Sequence, residues 1–286
     1  MIALDLYSGI GGASLGLKAA GFQIGFACDT DKRANRVYTK NIGIEVAKQR
    51  VASLNPSKIP HPELVFASIN KKSEVPVLSD FIGQIHPRVI IFEFPTRMIN
   101  RTVKKIRKEI NFEGYMCWCR IINMADFGFA QKRKILYIVG RRPDVNIFIP
   151  FPFPKSNIRH GVSSILETNP SPHLLISKKR LETIEKYNTT WSSKGFRYRT
   201  KIYTGDDITP TFPKAYHKDY RGILVDSGTG PRKLSALESQ RLSGFPETFD
   251  FAGLPDKHKY RLLAQSSPPS IIEALARNIV QWANCS

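Results

Sequence analysis

The stretch "DLYSGIGGASLGLKAAGF", Asp5–Phe22, followed by "QIGFACDTDKRANRVYTKN", Gln23–Asn41, decides the fold. The apolar opening "MIALDL" reads as a strand running into a glycine turn, and "ASLGLKAAG" as a short helix stopped at Gly21. "FQIGFACD" reads as a second strand, and "TDKRANRVYTKN" as a helix with Thr30 and Asp31 as capping candidates. Glycines 9, 11 and 12 would let a ligand approach the backbone beside a helix N-terminus. A carboxylate at the end of the second strand, Asp29, could accept from ribose hydroxyls, as in doubly wound nucleotide-binding folds. On the residues alone the glycine cluster reads equally well as a tight strand-to-helix turn.

Outward from this unit the alternation continues. "ELVFAS", "RVIIFEFP", "GYMCWCRIINM" and "RKILYIVGRR" read as strands, and "NRTVKKIRKEINFEGY" as a basic helix. Strands alternating with helices predict an α/β domain with a mainly parallel sheet over residues 1–145. The character changes at "RRPDVNIFIPFPFPKSN", which is rich in proline and aromatics and marks a lobe boundary. Residues 146–231 lack clean periodicity and read as a small basic lobe. It holds a helix candidate, "SKKRLETIEKYN", and a basic-aromatic tract, "WSSKGFRYRTKIY". Residues 232–286 are helical again and close with "PPSIIEALARNIVQWA", an amphipathic helix behind two prolines that should return to the first domain.

The chain of 286 residues carries 43 Lys and Arg against 24 Asp and Glu, a net charge of +19. An excess of that size attracts polyanions by counterion release, and double-stranded DNA is the expected partner. With 42% hydrophobic residues a sizeable core is expected, which argues against global disorder. No apolar run is long enough for a membrane span, and the opening lacks the pattern of a secretory leader. Four cysteines, Cys28, Cys117, Cys119 and Cys285, form no CxxC pair. They read as reduced thiols of a cytoplasmic protein, nucleoid-associated if bacterial, with no disulfide frame and no metal site.

Several blocks in one order carry a resemblance. "DLYSGIGGASLGLKAAGF…ACDTDKRANRVYTKN" resembles the opening of cytosine-5 DNA methyltransferases. "GYMCWCRIINMADFGFAQKRKILYIVGRR" resembles that family's GY…DYG-x-PQ-x-R-x-R…VG segment. "RKLSALESQRLSGFPETF" is similar to its RxLTxRExxRLxGFPxxF motif, and "KYRLLAQSSPPSIIEALARNI" to its closing GNxVPPxxxxAL motif. The resemblance implies a class I methyltransferase fold, Rossmann-like, with the basic lobe in the place of a target-recognition region. It implies S-adenosylmethionine as cofactor, held by Tyr7, Gly9, Gly11, Gly12 and Asp29, with Gln265 where the closing motif has asparagine. The family's adenine-binding aspartate is expected near "QRVASL", where Ala52 and Ser53 stand. Gln131 and Arg133 remain from the Q-x-R-x-R motif, with Ile135 replacing its second arginine. With Arg197, Arg199 and Lys201 of the lobe they are the expected DNA contacts. Alternation on a strand would put those lobe cations on one face and Phe196, Tyr198 and Tyr203 on the other.

The family's chemistry needs a cysteine thiolate that adds to ring carbon six of a flipped cytosine, and a glutamate beside the ring nitrogen. Glu93 in "IIFEFPTR" matches the glutamate, although Phe94-Pro95 replace the family's Asn-Val. "PELVFASINKKSEVP", residues 62–76, matches the thiol segment, with Ile69-Asn70 for Pro-Pro and Lys71-Lys72 for Cys-Gln. The nucleophile is absent, and the interval to Glu93 is too short for the family's mobile loop. A solvated lysine is protonated and a poor nucleophile. RNA cytosine methyltransferases place a cysteine near Glu93, and none lies between Arg88 and Arg101. These departures point to a DNA-binding homologue that is inactive alone and serves a catalytic methyltransferase partner in a modification or defence system. The alternatives are an active enzyme completed by a second polypeptide and an S-adenosylmethionine-binding regulator.

Overall fold

The computed structural model describes residues 1–98, 114–145, 149–152, 154, 160–193, 195, 200–219, 222–226, 228 and 230–283. The basic helix expected over 100–115 lies almost wholly outside these residues, as do Arg197 and Arg199. The first domain is built on strands β1 (Ile2–Leu6), β2 (Gln23–Cys28), β3 (Leu64–Ser68), β4 (Val89–Pro95), β5 (Met116–Asn123) and β7 (Lys134–Arg141). Their order across the sheet is β2-β1-β3-β4-β7-β5. The first four run parallel, as the alternation predicts. β7 enters antiparallel between β4 and β5. That reversal needs no crossover, because β5 and β7 are joined through a short 3₁₀ turn, Met124–Phe127, and the two-residue strand β6 (Gln131–Lys132).

Local chemistry sets the helix limits. The helix α1 (Gly12–Ala19) is followed by Gly21 at φ +101°, a conformation that glycine adopts without steric cost. In α2 (Lys32–Ile42) the N-cap is Asp31, whose carboxylate accepts from the backbone N–H groups of Arg33 and Ala34, while Gly43 ends it at φ +87°. One face of the sheet packs under α1 and the last helix, α8 (Pro269–Ala283), and the other under α3 (Glu74–Ile85). Ile271, Ile272, Leu275 and Ile279 bring α8 back onto the first domain. Each such buried side chain contributes about 1.5–3 kcal/mol. Gly16 on α1 makes this closeness possible, since a Cβ there would lie 2.3 Å from the Pro269 carbonyl oxygen.

The lobe holds α4 (Lys178–Ser193), α5 (Tyr216–Asp219) and the short strands β8 (Lys201–Tyr203), β9 (Thr209–Pro210) and β10 (Ile223–Val225). No residue of α4 is buried, which fits its charged sequence. The boundary expected at 231 runs through a core. Val162, Phe212, Tyr216 and Val225 of the lobe pack with Leu234, with Leu242 of α6 (Ala236–Leu242) and with Tyr260 of α7 (Asp256–Leu263). Thus α8 returns to the first domain, whereas α6 and α7 are shared with the lobe. The joint is sealed by Arg232 and Glu238, 1% and 0% exposed at the side chain, in a two-pronged pair with both N···O distances 2.7 Å. The Glu238 carboxylate also accepts from the N–H groups of Ser235 and Glu167, each at 2.8 Å. Among the described residues no helix is long and apolar enough to cross a membrane.

Removing one partner of a fully buried ion pair strands the other charge. Glu238→Gln and Arg232→Met are therefore each expected to lower unfolding stability by about 3–5 kcal/mol in urea titrations. The double variant Arg232→Met/Glu238→Leu should lose less than the sum of two such losses, because no charge is left unpaired.

Candidate functional site

The carboxyl ends of β1, β2 and β3 open onto one groove. Its two halves, of about 310 Å³ and 200 Å³, share Tyr7, Asp29, Thr30 and Glu74 in their walls. Gly9 and Gln265 line the second half, so four of the six expected cofactor residues converge there. Gly9 has φ +53° and open space where a Cβ would be, which suits close approach of a ligand. Tyr7 itself holds φ +57°, strained for a non-glycine residue and placed at the groove. The buried Ser8 hydroxyl in the same wall has no hydrogen-bond partner. Gly11 and Gly12 serve differently. A Cβ on Gly12 would lie 2.2 Å from the Ser267 carbonyl oxygen, and one on Gly11 2.9 Å from the Tyr38 ring. These two glycines let the turn pack against its own scaffold.

Asp29 is the hinge of this wall. One carboxylate oxygen accepts from Gly9 N–H at 2.9 Å and the other from Asp31 N–H at 2.8 Å, so it ties the glycine turn to the start of α2. Its remaining lone pairs are what a ribose could use. Ala52 lines the first half of the groove, and its side chain offers no acceptor. Glu74, which sequence reasoning missed, lines both halves and accepts from the N–H groups of Asn70 and Lys71. The open groove, the room at Gly9 and the orphaned Ser8 hydroxyl fit an adenosyl cofactor.

Glu93 lies on β4 two residues before its last, Pro95, and is 4% exposed, with Ser68 its cross-strand partner at the end of β3. Tyr137 Oη donates to it at 2.9 Å and Ser68 Oγ at 3.4 Å. Burial raises its pKa above the usual carboxylate range, while Arg133 and the hydroxyls of Tyr137, Ser267 and Ser68 pull the other way. A carboxyl so placed holds its proton more readily than an exposed one. Lys71 is exposed and lines the cofactor-side groove with Arg50 and Ala52. Among the described residues no hydrogen bond or ion pair joins it to Glu93. Burial pushes the Cys28 and Cys117 thiols up to about 12, which makes these two poor nucleophiles.

The expected DNA contacts separate. Gln131 is 1% exposed and faces inward: its amide donates to the Leu242 carbonyl at 3.1 Å and accepts from Phe212 N–H at 2.8 Å. In this structure it joins the first domain to the lobe, and a surface contact with DNA is not open to it. Ile135, in the place of the motif's second arginine, is buried in the sheet. Arg133 is half-buried beside Glu93. Lys201 is exposed, 3.4 Å from Asp207, with its ammonium 5.1 Å from the Tyr203 ring centre. Tyr203 therefore shares the face of Lys201, contrary to the expected separation, because residues two apart on a strand point the same way. Tyr137, Ser68 and Ser267 were not legible as parts of the site, since strand pairing brings the first two to Glu93 and the loop before α8 brings the third.

Beneath the glycine turn, buried Asp5 accepts from Ser14 Oγ at 2.6 Å, and Ser14 Oγ lies 2.6 Å from Tyr38 Oη. The second Asp5 oxygen has no partner, and burial raises the pKa from 3.8 to about 8. The folded state thus holds a proton that the unfolded chain releases, so stability falls as pH rises from about 4 to about 8. Asp5→Asn keeps the acceptor without the charge. Its thermal stability relative to the unaltered chain should improve between these pH values, by up to about 1.4 kcal/mol per pH unit. Parallel melting curves at pH 5 and pH 8 check this, and an unchanged difference would refute it.

Comparison with known proteins agrees with this geometry. The chain is 26% identical to the Type II methyltransferase M.MthTI of Methanothermobacter thermautotrophicus, over 96% of each chain. It is 26% identical to the Type II methyltransferase M.NlaX of Neisseria lactamica, over 96% of this chain and 95% of that one. Among solved structures, the Dnmt2 methyltransferase of S. pombe superposes with a TM-score of 0.79 at 19% identity, covering 99% of both chains. The family described as C-5 cytosine-specific DNA methylase matches residues 1–69 and 77–281, a break that falls on the segment carrying Lys71. With the whole sheet, the glycine turn, Asp29 and Glu93 all in the matched residues, the chain belongs to the C-5 cytosine-specific DNA methylase family.

Proposed function

We propose that this protein is a DNA-binding member of its family that does not methylate cytosine on its own and works beside a catalytic methyltransferase in a modification or defence system. One observation carries the reading. β3 ends at Ser68 and α3 begins at Glu74, so residues 69–73, five in all, replace the nucleophile-bearing loop. They contain Lys71 and no cysteine. Five residues cannot both present a nucleophile and fold over a flipped base. The kept acid, Glu93, then lacks the thiolate whose adduct it would protonate. The net charge of +19 supports a polyanionic partner, double-stranded DNA, and a cytoplasmic or nucleoid setting.

A second reading is favoured by the preserved groove. S-adenosylmethionine is the family's cofactor and, when bound, supplies an electrophilic methyl group on its sulfonium. Tyr7, Gly9, Asp29, Glu74 and Gln265 would hold it here, which suits a cofactor-sensing regulator or an enzyme completed by a second polypeptide.

Purified protein with tritiated S-adenosylmethionine and duplex DNA is expected to give no label transfer. Transfer that survives Lys71→Ala and is lost in Glu93→Ala would defeat the inactive reading. Titration calorimetry separates the two readings: saturable cofactor heat that disappears in Asp29→Ala supports the sensor, and no heat supports an empty scaffold.

A further inference from the structure

The second half of the groove is an electrostatic exception. The chain carries a net charge of +19, yet this wall holds three carboxylates, Asp29, Asp31 and Glu74, and no lysine, arginine or histidine. The cations of the groove, Arg50 and Lys71, line the first half alone. Two of the three acids are already engaged. Asp31 is paired with Arg261 at 2.5 Å, and Asp29 holds the N–H groups of Gly9 and Asp31 at 2.9 and 2.8 Å. Glu74 is different. It accepts from the Asn70 and Lys71 N–H groups at 3.3 and 3.2 Å, and both bonds reach one oxygen, Oε2. Among the described residues Oε1 receives no hydrogen bond and no ion pair neutralises the carboxylate. A bare metal ion does not suit this wall, because among the described residues no three acids, cysteines or histidines are placed to share one. A larger ligand does. Ser8, 7% exposed, has its hydroxyl buried there without a partner, and Gly9 beside it leaves open space. The family match breaks after residue 69 and resumes at 77, so Glu74 belongs to the part of the chain that departs from the family.

We propose that Glu74 makes the groove selective for a positively charged adenosyl ligand, a sulfonium, over the neutral thioether that remains once the methyl group is gone. The cationic part of the ligand lies in the second half. A sulfonium has no N–H or O–H to donate, so a carboxylate oxygen left open attracts it by charge alone. Glu74 is half-buried, and the attraction is screened less than at an open surface. Glu74 then has two tasks, bracing the five-residue turn after β3 and reading the charge of the ligand. The proposal rests on the cofactor-binding reading above and gives it a direction: the protein responds to the methyl-bearing cofactor and not to the spent one.

Titration calorimetry of the full chain with S-adenosylmethionine and with S-adenosylhomocysteine, the thioether, reads the preference. The unaltered protein is expected to bind the sulfonium at least about tenfold more tightly. Glu74→Gln keeps an acceptor for the turn and removes the charge. It should cut the preference to about threefold or less by weakening the sulfonium alone. Glu74→Asp keeps the charge and should keep a preference. Unchanged melting temperatures confirm that the variants fold. In the unaltered protein the preference should also shrink as salt is raised from about 0.05 to about 0.5 M, which tests the charge without any substitution. Equal binding of the two ligands by the unaltered protein overturns the proposal, and so does a preference that survives Glu74→Gln. Equal weakening of both ligands in Glu74→Gln overturns it too, since a purely structural role acts on both alike. Binding of neither ligand to the unaltered protein removes the cofactor-binding reading itself, and this inference with it.

Discussion

The Glu238 carboxylate is the point on which the second half of the molecule turns. It receives both arms of Arg232, the N–H that starts α6 and the Glu167 N–H from the lobe, all without water access. A charge buried this deeply is tolerable only when every side is met by a donor. That requirement fixes the geometry of three segments at once. Arg232 is itself bridged to Val225 of β10 and to Leu175, so the pair holds strand, loop and helix in one register. Around it Tyr216, Phe212 and Tyr260 pack ring against ring, and the Tyr216 and Tyr260 hydroxyls are spent on backbone at Leu234.

Because the lobe is anchored there, the loop that carries Gln265, Ser266 and Ser267 is held against the glycine turn. The contact is tight, since Gly12 has no room for a side chain against Ser267. One wall of the groove therefore comes from the first strand unit and the opposite wall from residues more than two hundred positions later. Asp29 and Asp31 complete the enclosure, the former by bracing the glycine turn and the latter by pairing with Arg261. The same arrangement brings Lys214 and Arg97 to the mouth of the groove. The five residues that join β3 to α3 leave a bounded opening beside a cofactor-type pocket.

Much of this was legible in the sequence where the signal is local. The glycine turn, Asp29, the Asp31 cap and the strand alternation declare themselves within a few residues, because backbone conformation and capping are short-range effects. The absence of any cysteine from residues 62–76 and the short interval before Glu93 are equally local facts. Less legible were the inward Gln131, the pairing of Lys201 with the Tyr203 face, and the core shared across position 231. Each depends on which distant element supplies the neighbour, and no periodicity reports that.

The sequence by itself determined an α/β sheet with a glycine-turn pocket, a basic chain, and a third strand followed by lysines with no cysteine beside them. Only the tertiary structure decided which glycines face open space and which face packing, and which polar groups are spent inside. The physical reason is that hydrophobic pattern and backbone propensity act along the chain. Burial, ion pairing and the repulsion among like charges act through space, between residues that folding alone brings together.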